Sequence, residues 1–121
     1  MGKRRVSRPR ITASGKSGVR FSSALVEQIE EKLGYVPRRF DIELFDDRIV
    51  FRPNENGSVK TWKDSTHRNC RQLLLSVGTR LVEYAVEIGC SVCSVEVLDD
   101  GSVVWYSWRA DLGKTNEPKT L

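Results

Sequence analysis

Basic side chains are concentrated at the start of this chain, and their chemistry there is that of phosphate binding. Residues 1–20 contain seven Lys or Arg and no Asp or Glu, whereas the whole chain has 20 basic and 16 acidic residues and a net charge of +4. Lys and Arg displace the counterions condensed on a nucleic-acid backbone, and an arginine held on a strand can also present its planar guanidinium to guanine. The predicted nucleic-acid-binding residues are Lys3, Arg4, Arg5, Arg8, Arg10, Lys16 and Arg20.

A simpler interpretation of the same charges remains open. Residues 1–9 are expected to form a flexible arm, and a basic arm can serve only to keep a protein soluble. Lys16 and Arg20 could likewise only solvate an exposed strand. If the arm does bind nucleic acid, its flexible cations would contribute affinity with little choice of sequence, and binding would weaken steeply with salt.

Two pairs of metal-ligand types also occur, as His67-x-x-Cys70 and Cys90-x-x-Cys93. This spacing is typical of paired zinc knuckles. However, the periodicity between the pairs predicts a helix, whose ends would lie about 30 Å apart at about 1.5 Å per residue. Four zinc ligands must lie within about 2.3 Å of one ion, so we predict no metal site and no cofactor. Three cysteines in a chain without a secretory signal favour reduced thiols.

The residue patterns of common catalytic sites are not found. His67 is the only histidine, and no Ser or Cys motif supplies a nucleophile beside it. The pairs Asp46-Asp47 and Asp99-Asp100 suit tight turns, and no glycine loop carries the Lys-Ser/Thr of a phosphate-binding loop. We therefore predict that the protein is not an enzyme.

Trp105, Tyr106 and Trp108 form an aromatic cluster near the end of the chain. Because apolar residues occupy both faces of this predicted strand, it is either covered on two sides or exposes a contact patch. The three residues are candidates for a partner interface. Core packing and stacking on single-stranded bases are the alternatives.

Hydrophobic periodicity defines the elements that position these residues. We predict strands over residues 10–13 and 19–21, a helix over residues 22–34 and a hairpin that turns at Asp46-Asp47. A short edge strand at residues 59–62, a helix from about residue 64 to residue 88 and a hairpin over residues 91–108 follow. The expected fold class is α+β, with a small barrel-like antiparallel sheet and two helices.

The two hairpins have similar sequences, Glu43-Leu-Phe-Asp-Asp and Glu96-Val-Leu-Asp-Asp, and each follows a helix. This similarity indicates two helix-plus-hairpin units, although unrelated hairpins with the same turn chemistry would look alike. The predicted organisation is a basic arm (1–9), a first unit (10–53), a second unit that shares its core (58–110) and a tail (111–121). No apolar run reaches the roughly 20 residues that span a bilayer, so we expect a cytoplasmic protein without a membrane partner.

The first unit resembles the AbrB/SpoVT swapped-hairpin family, which includes transition-state regulators and MazE-like antitoxins. The shared pattern is a basic strand, a Lys-Gly-type turn, a second strand, a short helix that ends in Leu-Gly, and two strands around an acidic turn. These features lie, in that order, at residues 11–12, 16–18, 19–21, 24–34, 40–44, 46–47 and 48–53. The resemblance implies a homodimer formed by exchanged hairpins that binds double-stranded DNA, with Arg8, Arg10, Lys16 and Arg20 at the nucleic acid.

The function expected from these features is that of a DNA-binding transcriptional regulator or antitoxin-like repressor. The alternative is a small phage-type inhibitor or adaptor that binds a host protein or nucleoprotein complex, in the manner of an anti-CRISPR protein. Its acidic hairpins and aromatic strand would then form the contact. A single-strand nucleic-acid-binding protein is a third and weaker possibility.

Overall fold

The computed structural model describes residues 8–63 and 72–108. Within these residues the chain forms eight strands and two helices. In chain order they are β1 (Ile11–Ser14), β2 (Gly18–Phe21), α1 (Ser23–Leu33), β3 (Arg39–Phe45), β4 (Arg48–Pro53), β5 (Val59–Lys63), β6 (Leu73–Ser76), α2 (Thr79–Ile88), β7 (Cys90–Val97) and β8 (Val103–Ser107). The predicted α+β class is confirmed.

The strands form one antiparallel sheet in the order β1-β2-β6-β5-β3-β4-β8-β7. It consists of two four-stranded parts, β1-β2-β6-β5 and β3-β4-β8-β7, joined where Phe40 of β3 pairs with Val59 of β5. β7 lies against β1 at the opposite side, so the sheet curls into a nearly closed barrel. The expected barrel-like architecture is therefore confirmed.

The first helix forms as its end signals predict. The Ser22 hydroxyl accepts a hydrogen bond from the Leu25 backbone N–H at 3.4 Å, which satisfies one of the unpaired donors at the helix start. Gly34 ends the helix with a positive φ of 83°, a conformation that costs glycine little. The buried residues Leu25, Val26 and Ile29 fix the face that packs on the barrel.

The second helix is shorter than predicted. It begins at Thr79 rather than near residue 64, and Leu74, which we expected on its apolar stripe, lies in β6. Leu74, Val77 and Leu81 have helical spacing in the sequence, but Leu74 lies in β6 and Val77 follows it. Their spacing therefore extends the pattern of α2 by coincidence. Gly78, expected near the middle of the helix, instead precedes it with a φ of 97°.

The prediction that β5 is an edge strand is wrong. β5 pairs with β3 on one side and with β6 on the other. The unit predicted over residues 58–110 therefore begins with two strands that lie before its helix. Each half of the chain has the same order of elements, which is two strands, a helix and two strands. The residues between β5 and β6, where the predicted helix began, lie outside the described ranges.

An approximate two-fold axis relates the two halves. The antiparallel pairing of β2 with β6 joins the first hairpins, and that of β4 with β8 joins the second hairpins. Both helices contain Leu-Val-Glu, at residues 25–27 and 81–83. Val19 and Leu75 precede these triplets by the same number of residues and are paired with each other, so the axis passes through this pair.

Three phenylalanine rings form the centre of the core. Phe21 of β2 makes edge-to-face contacts with Phe40 of β3 and Phe51 of β4, at centroid distances of 5.9 and 5.2 Å. Phe40 and Phe51 lie 6.4 Å apart. All three side chains are fully buried, so the two four-stranded parts of the sheet share one hydrophobic core.

We predict that Phe51→Ala lowers the free energy of unfolding by about 3–5 kcal/mol, because it removes a buried ring and leaves a cavity. The measurement is urea unfolding followed by circular dichroism. The matched control is Tyr35→Ala, since Tyr35 is 54% exposed and should change stability by less than about 1 kcal/mol. Equal losses in the two variants would contradict the placement of Phe51 in the core.

Candidate nucleic-acid interface

Alternation along β1, β2, β6 and β5 separates a buried face from an outer face. Ile11, Val19, Phe21, Leu73 and Leu75 all point into the core. The neighbours of these residues in each strand therefore lie on the outside of the barrel. We call this outer surface the basic face, and its residues are Arg10, Thr12, Ser14, Arg20, Lys60, Trp62 and Leu74.

One row of the basic face crosses all four strands. The pairing register aligns Thr12 with Arg20, Arg20 with Leu74, and Leu74 with Trp62. Adjacent strands are about 4.8 Å apart, so the row spans about 15 Å. Arg20 is half-buried in the middle of this row, between Thr12 and Leu74.

Arg10 is held at the edge of the face by Ser22. The Arg10 backbone N–H donates to the Ser22 hydroxyl at 2.9 Å, and the Ser22 backbone N–H donates to the Arg10 carbonyl at 3.0 Å. Ser22 therefore joins the start of β1 to the start of α1. The Arg10 side chain remains exposed, and Arg10 and Arg20 line the same shallow depression together with Thr12, Ser22 and Gln72.

The other predicted basic residues lie around this surface or outside the described ranges. Lys16 is exposed in the turn between β1 and β2, where Gly15 adopts a positive φ of 72°. Arg8 is exposed just before β1. Lys3, Arg4 and Arg5 are among the residues that the structure does not describe.

Lys60 and Trp62 of β5 were missed by the sequence analysis. The Lys60 ammonium lies 5.9 Å from the centroid of the Trp62 ring, within range of a cation–π contact. Trp62 is 47% exposed, which is unusual for so large an apolar side chain and leaves its ring accessible from solvent. The alternation Val-Lys-Thr-Trp at residues 59–62 was a usable signal, because it places the lysine and the tryptophan on one face of a strand.

Acidic residues are segregated from the basic face. No Asp or Glu occurs in β1, β2, β5 or β6, whereas the other four-stranded part of the sheet and its turns are rich in them. Several of those carboxylates pair with basic groups, as Glu43 does with Arg52 at 3.0 Å and Asp99 with Lys32 at 3.3 Å. Among the described residues, the four strands of the basic face thus carry basic side chains without carboxylates, whereas the other part of the sheet carries both signs of charge.

The aromatic residues of β8 do not share one surface. Trp105 is only 5% exposed, and its indole N–H donates to the Ser91 carbonyl at 3.1 Å inside the barrel. Tyr106 faces the other side of the strand and donates its hydroxyl to Glu96 at 2.7 Å. Trp108 is 71% exposed just beyond the strand. Among these three partner-interface candidates, Trp105 contributes to the core.

The two cysteines of the described residues differ in exposure. Cys90 is half-buried, and burial raises the pKa of its thiol to about 12, which makes it a poor nucleophile at neutral pH. Cys93 is exposed, and His67 and Cys70 lie outside the described residues. In the ranges 8–63 and 72–108, no three His, Cys, Asp or Glu residues are grouped so that they could hold a metal ion.

Comparisons of the chain with protein-family models, with curated proteins and with solved structures give no match. Neither α1 nor α2, the helices of the described residues, is long and apolar enough to cross a bilayer. Function is therefore inferred from the basic face itself.

We predict that Tyr106 makes stability fall at high pH. Burial, and then the hydrogen bond to Glu96, raise the pKa of Tyr106 to about 12, above the value of about 10 in an unfolded chain. The folded state thus holds this proton more tightly. The contribution of Tyr106 to stability is complete below about pH 10 and is lost as the pH rises towards about 12.

The measurement is the free energy of urea unfolding of the wild-type protein and of Tyr106→Phe at several pH values. The advantage of the wild type should be constant from about pH 8 to about pH 9 and should shrink above about pH 10. Tyr84, whose pKa is also raised by burial, is common to both proteins and cancels in the difference. A difference that stays constant throughout would refute this role for Tyr106.

Proposed function

We propose that this protein binds double-stranded DNA through the basic face and acts as a transcriptional regulator or antitoxin-like repressor. The observation that carries the proposal is the composition of one surface. Four adjacent strands present arginine, lysine, hydroxyl and exposed aromatic side chains, and none of them contributes a carboxylate. A rigid surface of this kind complements a polyanion with exposed base edges.

Each basic group has a role that follows from its position. Arg20, on a central strand of the basic face, is suited to present a planar guanidinium to a guanine edge or a phosphate. Arg8, Lys16 and Lys60 are exposed around it and are suited to phosphate contacts, which orient the protein on the duplex without reading sequence. Residues 1–7 would add further phosphate contacts through Lys3, Arg4 and Arg5.

The topology supports the resemblance to the swapped-hairpin family. That resemblance implies a homodimer in which two copies of a strand-strand-helix-strand-strand unit exchange hairpins. This single chain contains two such units, and their first hairpins pair through β2 and β6 while their second hairpins pair through β4 and β8. We infer that one chain takes the place of two subunits, so the predicted homodimer is not needed to build the barrel.

A single-stranded nucleic acid is the second candidate ligand, and Trp62 is the observation that favours it. An exposed indole on a cationic sheet is suited to stack on an unpaired base, a contact worth about 1–3 kcal/mol. Among the aromatic residues first considered for stacking, Trp105 is buried and Trp108 is 71% exposed, but Trp108 lies outside the basic face. Competition between duplex DNA and poly-dT distinguishes the two ligands.

The phage-type inhibitor or adaptor remains the alternative from a different functional class. Its expected contact surface was the aromatic strand and the acidic hairpins. Trp105 is buried, and the turn residues Asp99 and Asp100 lie within ion-pair distance of Lys32 and Arg52. Asp99 and Asp100 nevertheless remain exposed, so this acidic turn is still accessible to a partner. An inhibitor of this kind should show little DNA binding in the absence of its protein target.

We predict that Arg10→Ala weakens binding to a random-sequence duplex by about fivefold to tenfold at about 0.1 M salt, because one positive charge at the DNA and the counterion that it releases are lost. The control is Arg80→Ala, which removes the same charge from an exposed position on α2, outside the four strands of the basic face. Fluorescence anisotropy with a labelled duplex measures both affinities. Equal effects of the two substitutions, or no binding by the wild type, would refute the proposed interface.

We predict that deletion of residues 1–9 makes the salt dependence of DNA binding shallower. The deleted segment carries Lys3, Arg4, Arg5 and Arg8, and each phosphate contact contributes about 0.9 to the slope of log K against log salt. The slope should therefore fall by about 2–4 if the arm follows the DNA backbone. An unchanged slope would identify the arm as a solubilising segment only.

A further inference from the structure

We propose that the two halves of the basic face recognise different base sequences, so that one chain binds a non-palindromic duplex site as a monomer. This inference rests on the proposed function. A homodimer presents two identical surfaces related by a two-fold axis and therefore favours a palindromic site. In this chain the axis lies within one molecule, and the residues on its two sides need not be the same.

The pairing registers identify which positions are equivalent. Val19 and Leu75 are paired across the axis and are each other's counterparts. Ala13 pairs with Val19 in the first half, and Thr61 pairs with Leu75 in the second half. Ala13 and Thr61 are therefore also counterparts. Because side chains alternate along a strand, the outer positions of the two halves can then be matched one by one.

The matched positions carry different chemistry. The position of Ser14 in the first half is taken by Trp62 in the second half, and that of Gly18 is taken by Leu74. Conversely, Arg20 of the first half corresponds to Ser76. The first half therefore supplies a guanidinium, and the second half supplies an apolar surface formed by the register neighbours Leu74 and Trp62. The two kinds of surface meet where Arg20 pairs with Leu74.

These two surfaces match different base edges. Arginine pairs with the two acceptors of guanine in the major groove, whereas apolar side chains contact the methyl group of thymine. We therefore assign a guanine-containing half-site to the side of Arg10 and Arg20, and a thymine-containing half-site to the side of Leu74 and Trp62. Lys16 and Lys60, both exposed, would hold the phosphates on either side.

The barrel itself gives no reason for a second chain. β2 and β6 meet at the axis, β4 and β8 meet likewise, and β7 lies against β1. The edges that two separate subunits would have to cover are thus already paired or covered within the described part of this chain. One chain presents the complete two-half surface.

The test begins with selection of binding sequences from a random duplex library by the full-length protein, followed by sedimentation of the protein with the best duplex. The expected result is a motif without two-fold symmetry and one chain per duplex. A palindromic motif, two chains per duplex, or binding without sequence preference would overturn the inference while leaving DNA binding intact. Failure to bind any duplex would overturn the proposed function as well.

Two substitutions then separate the half-sites. Trp62→Ala should relax the base preference of the thymine half alone, reducing discrimination there by about fivefold or more. Replacing those thymines by uracil should weaken binding by the wild type more than binding by this variant, which keeps only Leu74. Arg20→Ala should relax only the guanine half. Arg80→Ala should leave the motif unchanged. If Trp62→Ala altered the base preference of both halves equally, or of neither half, the assignment would be wrong. Circular dichroism checks that each variant is folded.

Discussion

The pairing of β2 with β6 is the contact on which the rest of the structure depends. A two-stranded hairpin alone is marginally stable, because one of its faces has nothing to pack against. By joining the first hairpins of the two halves, this pairing buries Val19, Phe21, Leu73 and Leu75 on one side of a four-stranded sheet. It also brings Arg20 beside Leu74 on the other side. The same ladder of hydrogen bonds thus builds the core and assembles the basic face.

Ion pairs on the opposite part of the sheet have more influence on the electric field than on stability. Arg52 and Glu43 are each 44% exposed, and exposed pairs of this kind contribute at most about 1 kcal/mol. The hydrophobic core, with its three phenylalanine rings, provides the stability instead. These ion pairs neutralise carboxylates locally. The strands of the basic face, in contrast, contain no carboxylates. The absence of carboxylates from these four strands is the feature on which the proposed binding of nucleic acid rests.

The sequence was most informative where local signals agree with the final packing. The alternation around Val19 and Phe21 and the end signals Ser22 and Gly34 placed the elements of the first half correctly. In the second half, the apolar residues of β6 continue the helical spacing of α2, and only the tertiary pairing with β2 decides that Leu74 is in a strand. Lys60 and Trp62 were overlooked because a short strand was taken for an edge. Their place on the basic face depends on β6, which lies between β5 and β2 and joins Lys60 and Trp62 to the surface that contains Arg20.

The central claim is that nucleic acid contacts the outside of β1, β2, β6 and β5. The most direct test is titration of the isotope-labelled protein with a short duplex, followed by two-dimensional NMR. The largest shift changes should occur at Arg20, Leu74 and the Trp62 indole, while Val50 and Val104 on the other four-stranded part stay unchanged. Changes concentrated on that other part of the sheet, or on α2, would contradict this account.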